Sequence, residues 1–322
     1  MIRLVLQRVA AALLLLFLVL TITFFLVQLA PGDPGVLLMG DQAPPEAAER
    51  LRTVYGLDRS LPVQYLTWLG SIVRGDWGVS FLYGRPVLRV LLGSLGPTAL
   101  LACAALLVQY LVGLPLGVAA ARRRGRPADA AIRMGSLLFY SMPVFWLGLM
   151  AILLFAYAWP VFPASHMHSV GAAALAPGER LLDVLHHLAL PALTLGLAMS
   201  GATVRFVRNR MLEVLEEDYV RTARAKGLTE RRVVWVHALR NALVPVVQLL
   251  GLSLPALLNG SLIAEVVFSW PGLGRTTFQA IVARDYPVIL AATAFTAALV
   301  VAGNLLADVL HAAVDPRVRR RA

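Results

Sequence analysis

The sequence predicts an all-α, polytopic membrane protein with six transmembrane helices. Three observations carry that fold class. The chain has 322 residues, of which 59% are hydrophobic and 15% charged, where a soluble domain carries about 25% charged residues. Such a chain has more apolar surface than a soluble fold can bury. Its apolar residues gather into six runs, at about 9–29, 96–121, 134–158, 188–207, 241–266 and 287–311. Each is near the roughly 20 residues that cross a hydrocarbon core. Finally, the net charge of +11 sits between those runs, and membrane topology explains that placement more simply than nucleic-acid binding does.

The first run follows Arg3 and Arg8 and extends from Val9 to Leu29. It is longer than the roughly 7–15 apolar residues of a cleaved signal peptide, so it reads as an uncleaved first span. A long loop, about 30–95, follows, with six Arg against six acids. It has no charge bias with which to report topology. Residues 45–55 read as a short helix stopped by Gly56, and Pro62 opens a second that Gly75 ends. Both are amphipathic and suited to packing on the bundle or lying at the membrane surface. The chain therefore divides into 1–95, a first span with a helical extracytoplasmic loop, and 96–322, a five-helix core.

In the second run, Gly113 and Gly117 are four apart, with Pro115 between them. That spacing permits close helix contact, although glycine is also common in membrane helices. Pro143 and Pro255 are expected to kink or open their helices. The fourth run is the most diluted, by Pro191, Thr194, Ser200 and Thr203, which suits residues facing a bundle. Arginines crowd the loops after the second and fourth runs and the chain's last residues, whereas the loop at about 159–187 has only Arg180, Glu179 and Asp183. By the positive-inside rule both termini are cytoplasmic.

Several chemistries are absent from the sequence. There is no G-x-x-x-x-G-K-[ST] phosphate loop, and Lys226, the one lysine, has no strand before it. No H-E-x-x-H and no nucleophile–base elbow appear, so no catalytic residues are assigned. Ionisable residues in the spans are few, with Glu265, Asp308 and Arg205 near span ends, which argues against an ion-driven carrier. The single Cys103 allows no internal disulfide. His166, His168, His186 and His187 lie in or beside the second outer loop. Histidine is a good ligand for nickel, but the pattern reads as exposed loop histidines without fixed geometry, and no metal site is assigned.

One charged, helix-prone island stands out, at about 210–240. Residues 208–226 have high helix propensity, Gly227 allows a turn at φ > 0, and Thr229 caps a second helix. Two readings are open. The island is a solvated loop that satisfies the positive-inside charge, or it docks on a cytosolic partner through Tyr219, Val220, Ala223 and the Gly227 turn.

At these residues the chain resembles the inner-membrane permeases of binding-protein-dependent ABC transporters, in the dipeptide, oligopeptide and nickel class. The motifs that carry the resemblance run nearly end to end: Leu29-Ala30-Pro31-Gly32-Asp33-Pro34, Gly75-Asp76-Trp77-Gly78-Val79-Ser80, Ser141-Met142-Pro143-Val144-Phe145-Trp146, the Tyr219–Gly227 stretch, Leu239-Arg240-Asn241-Ala242, and Phe268-Ser269-Trp270-Pro271-Gly272-Leu273-Gly274-Arg275. That family's cytoplasmic loop carries E-A-A-x3-G-x9-I-x-L-P. Here Gly227 and Ala223 match, Arg221 and Thr222 replace the Glu and first Ala, and His237, Leu239 and Arg240 stand where Ile, Leu and Pro would.

The resemblance implies a type I importer permease of the bacterial or archaeal inner membrane, importing short peptides or, alternatively, nickel or a nickel chelate. It implies an ATPase-coupling helix at Tyr219, Val220, Arg221, Thr222, Ala223, Arg224, Ala225, Lys226 and Gly227. The partners it implies are a second homologous permease, two cytosolic ATP-binding subunits and an extracytoplasmic solute-binding protein. ATP and Mg would sit in the ATPase subunits, with no cofactor in this chain. An ion-coupled secondary transporter acting alone is the rival of another class. The residues that bind substrate are not identified by any motif.

Overall fold

The computed structural model describes residues 2–29, 58–243, 246 and 261–314, with side chains placed from Ala10 to Gly303 within those stretches. The elements are helices, and the one β contact among the described residues is an isolated bridge between Val79 and Pro86. Two compact units emerge, Met1–Gly96 with Arg275–Ala322, and Pro97–Gly274.

In the first unit, α1 (Ile2–Gln28) packs along the C-terminal helix of the unit, Tyr286–Val314. The short helix α2 (Leu61–Val73) forms where Pro62 and Gly75 predict it. Proline fits the first turn because its missing N–H would be unpaired there anyway, and Gly75 exits at φ +83°. An aromatic cluster joins α2 to α1: Phe24 lies 5.3 Å from both Tyr65 and Trp68, and Thr21 Oγ1 shares a 2.7 Å hydrogen bond with Tyr65 OH. The helix expected at 45–55 lies outside the described residues. The loop after α2 is held by Asp285, a fully buried carboxylate that accepts from Ser80 Oγ at 2.5 Å and Leu82 N at 2.9 Å. It also accepts from Val288 N, capping the Tyr286–Val314 helix.

The second unit is built on α3 (Val87–Arg122, of which Pro97 onward belongs here), α4 (Pro127–Ser141), α5 (Val144–Ile152, extended by a π-helical turn over Leu153–Ala158) and α6 (Pro177–Leu215). Helices α3 and α6 run parallel and touch through small residues. A Cβ on Gly113 would lie 2.6 Å from Thr203 Cγ2, one on Gly117 2.7 Å from Val207 Cβ, and one on Gly196 2.5 Å from Val108 Cβ. The spacing of Gly113 and Gly117 is thus a real close contact, the packing that stands in for a hydrophobic drive inside lipid. A polar bond crosses the seam, from Gln109 Nε2 to Thr203 Oγ1 at 2.9 Å. Leu101, Ala105, Leu195, Phe268 and Trp270 form the apolar core around it.

Pro143 does more than kink its span. The chain stops being helical at Met142, which is extended (ψ 137°), and α4 and α5 meet at a bend of 98°. The residue before proline is driven out of the α region by the ring, and Pro143 then starts α5 as its N-cap. Among the described residues, four helices are long and apolar enough to cross a membrane, and the bent pair makes a fifth if taken as one span. The run at 241–266, with Pro255, falls mostly outside the described residues.

Candidate functional site

The charged island folds as an elbow. After α6 ends at Leu215, α7 (Asp218–Ala225) begins, with Asp218 in its first turn and Arg224 in its last, each at the favourable end of the helix dipole. Gly227 turns the chain at φ +76°, a conformation in which L side chains are strained. Then α8 (Glu230–Arg232) starts and widens into a π-helical turn over Val233–Ala238.

Alternation along α7 decides which side chains point where. Val220 and Ala223, three apart, share a face. Both are buried against Val233, with Val214, Leu215 and Leu228 around them. These two residues therefore build the elbow's own core. The opposite face exposes Tyr219, Arg221, Thr222, Arg224, Ala225, Lys226 and Gly227. Of the nine residues singled out by motif, seven are presented to the surroundings and two hold the shape that presents them.

Polar bonds fix the elbow and brace it to the neighbouring helix ends. Arg224 spans the Gly227 turn to Glu230 through Nε at 3.1 Å and Nη2 at 2.9 Å. That forked pair is the geometry in which a guanidinium holds a carboxylate best, and Arg224 keeps the Glu230 carboxyl below its usual range. Asn241 Nδ2 donates to Tyr219 OH at 2.7 Å, tying the exposed face of α7 to the helix after the π turn. Beside the elbow, Arg208 of α6 grips Asp129 of α4 through Nε and Nη2, both at 2.8 Å, while Asp129 also accepts from Gly125 N. Asp129 is 1% exposed. Arg124 pairs with Glu216 at 2.8 Å. The arginine-rich ends of α3, α4 and α6 and the elbow are thereby braced together.

The other residues raised by the sequence have local roles. Glu265 is fully buried at the end of the helical stretch 261–267 and accepts from Thr98 Oγ1 at 2.8 Å, while Thr98 Oγ1 accepts from Leu273 N at 2.7 Å. Gly272 and Gly274 give the carboxylate room, since a Cβ on either would overlap it. The Phe268–Gly274 motif is thus a turn wrapped on a buried carboxylate, with Trp270 Nε1 bonded to Pro97 O at 2.9 Å. His186 Nε2 donates to Val161 O at 2.7 Å, and His187 Nδ1 to Asp183 O at 2.8 Å. His168 Nδ1 lies 3.5 Å from Asp183. Among the described residues no group of three or more His, Cys, Asp or Glu could hold a metal ion. The Asp129–Arg208 bond was not read from the sequence. Its one signal is that Asp129 is the lone acid in an arginine-crowded loop.

The chain matches the family of binding-protein-dependent transport system inner membrane components over residues 113–320, and the N-terminal region of such components over residues 1–101. It belongs to that family, as a multi-pass inner-membrane transport subunit. It is 40% identical over 298 residues to the oligopeptide transport system permease protein AppB of Bacillus subtilis, covering 92% of this chain and 93% of that one. It is 38% identical over 317 residues to the dipeptide transport system permease protein DppB of Escherichia coli K12, covering 93% and 94%. Its fold is similar to the inward-facing crystal structures of the MetNI methionine ABC transporter, with a TM-score of 0.56 at 18% identity, covering 71% of this chain and 97% of that chain.

Proposed function

We propose that the chain is the membrane-spanning subunit of an ATP-driven importer of short peptides. It spans the membrane six times with both termini in the cytoplasm, and it forms half of the translocation path beside a second permease. Two cytosolic subunits bind ATP and Mg, and an extracytoplasmic solute-binding protein delivers the peptide. The observation that carries the reading is the near full-length likeness to peptide permeases. Arginine placement supports the orientation. The elbow at Tyr219–Gly227 is where the ATPase couples. ATP closes the nucleotide-binding dimer, the braced elbow moves as a rigid body, and the bundle alternates between inward- and outward-facing states.

Reconstitution tests both levels of the reading. In proteoliposomes with its ATPase subunits and binding protein, peptide uptake should require ATP. Uptake driven by an ion gradient without ATP would refute the importer. For the elbow, the double substitution Arg221→Glu, Lys226→Glu reverses charge on the exposed face and leaves Val220 and Ala223 in place. It should cut peptide-stimulated ATPase activity at least tenfold while the protein still inserts. Unchanged stimulation would remove the coupling role.

A further inference from the structure

Two arginines of α6 lie one turn apart and meet different fates. Arg208 is consumed by the buried Asp129 carboxylate. Arg205 is exposed, lies inside the apolar run 188–207, and has as its recorded partner the ring of Tyr140, with the guanidinium carbon 4.7 Å from the ring centroid. The stacking is positioned by a close approach. A Cβ on Gly201 would overlap Ser136 O and lie 2.8 Å from Tyr140 Cβ, so α4 and α6 nearly touch one turn further into the span. Arg205 thus reaches toward a ring seated at that contact. Arg208 turns the other way, to the arginine-rich end.

A guanidinium exposed in an apolar span is costly in lipid, and near a span end it either snorkels to the interface or faces a water-filled path; the stack on Tyr140, which holds Arg205 toward the span rather than the arginine-rich end, favours the path. Stacking on an aromatic face leaves the planar N–H fork free for a bidentate oxyanion. Tyr140 is itself 50% exposed and lies two residues before the break at Met142. The patch therefore presents a cation held on an aromatic ring with its fork open. A guanidinium so held suits a carboxylate, which it can bind through two parallel N–H donors.

We infer that Arg205, oriented by Tyr140, lines the translocation path and binds the C-terminal carboxylate of the passing peptide. This rests on the importer reading above and names its substrate contact.

The test uses the complete transporter in proteoliposomes, with one tripeptide supplied either with a free C-terminus or as its C-terminal amide, both at concentrations that saturate the binding protein. The wild type should move the free acid at least tenfold faster than Arg205→Gln does, and the two proteins should move the amide at equal rates. Arg205→Lys, which keeps the charge and loses the fork, should restore part of the free-acid rate. Equal losses for acid and amide would overturn the proposal and leave Arg205 a general support of the bundle. No loss for either would place it outside the path. A wild type that moves neither peptide would instead sink the importer reading, so the two failures are distinct.

Discussion

At the residue scale, the elbow depends on a few side chains whose removal has calculable consequences. Gly227 is at φ +76° with open space around it, so alanine there meets backbone strain of about 1 kcal/mol and no clash. Gly227→Ala should raise amide exchange in α7 by roughly fivefold while the bundle stays protected. Asp129 is buried and bound by a forked arginine. Asp129→Asn leaves Arg208 without its counter-charge and should cost on the order of 3 kcal/mol, read as a lower unfolding midpoint in detergent. The Arg224–Glu230 pair is half-exposed and holds less, under about 1 kcal/mol. Its pH dependence has a definite sign. The Glu230 carboxyl sits below its usual 4.5 in the folded elbow, so the pair contributes fully above that value and fades as pH falls through the folded one. The protection of α7, taken as intrinsic over observed exchange rate, should fall below pH 4.5 in the wild type, and Glu230→Gln should flatten that fall.

At the element scale, what holds the second unit together is close contact between helices. Gly113 and Gly117 of α3 meet Thr203 and Val207 of α6 with no room for a methyl group. Gly113→Ala should push the helices apart at a cost of about 1–3 kcal/mol, whereas Gly135→Ala on α4, with nothing within 4 Å, should leave the unfolding midpoint unchanged or slightly raised. This seam was legible in the sequence because its determinant, a small residue repeating every four, is periodic. The stop at Gly75 and the elbow at Gly227 were legible for a similar local reason, since each needs a positive φ. What escaped sequence reasoning is what depends on partners far along the chain. Asp129 and Arg208 are 79 positions apart, and Thr98 and Glu265 are 167 apart. Propensity at Pro143 foretold an opening of the helix but not the 98° bend, because a local rule releases the backbone at Met142 without fixing the direction of the next helix. The inward turn of Val220 and Ala223 was readable in principle from their spacing of three. Reading the motif as a contact list obscured that spacing.

At the scale of the whole molecule, the proposed topology follows from arginine, which labels one side of the membrane at each turn of the chain. Arg122–Arg126 follow the second run, Arg208–Arg240 the fourth, and Arg317–Arg321 the last. The structure places the first two groups on a braced assembly, with Arg124 bound to Glu216 and Arg208 to Asp129, so these two loops lie on the same side whichever side that is. Side itself can be assigned through the chain's one cysteine. Once Cys103 is replaced by alanine, single cysteines report accessibility to a membrane-impermeant maleimide. Val170 stands fully exposed in the loop between α5 and α6, and Thr222 on the outer face of α7. In intact cells stripped of any outer membrane, Val170→Cys should label at once and Thr222→Cys only after permeabilisation. The reverse order would invert the chain and place the elbow where no cytosolic ATPase could reach it, so one labelling experiment bears on both orientation and coupling.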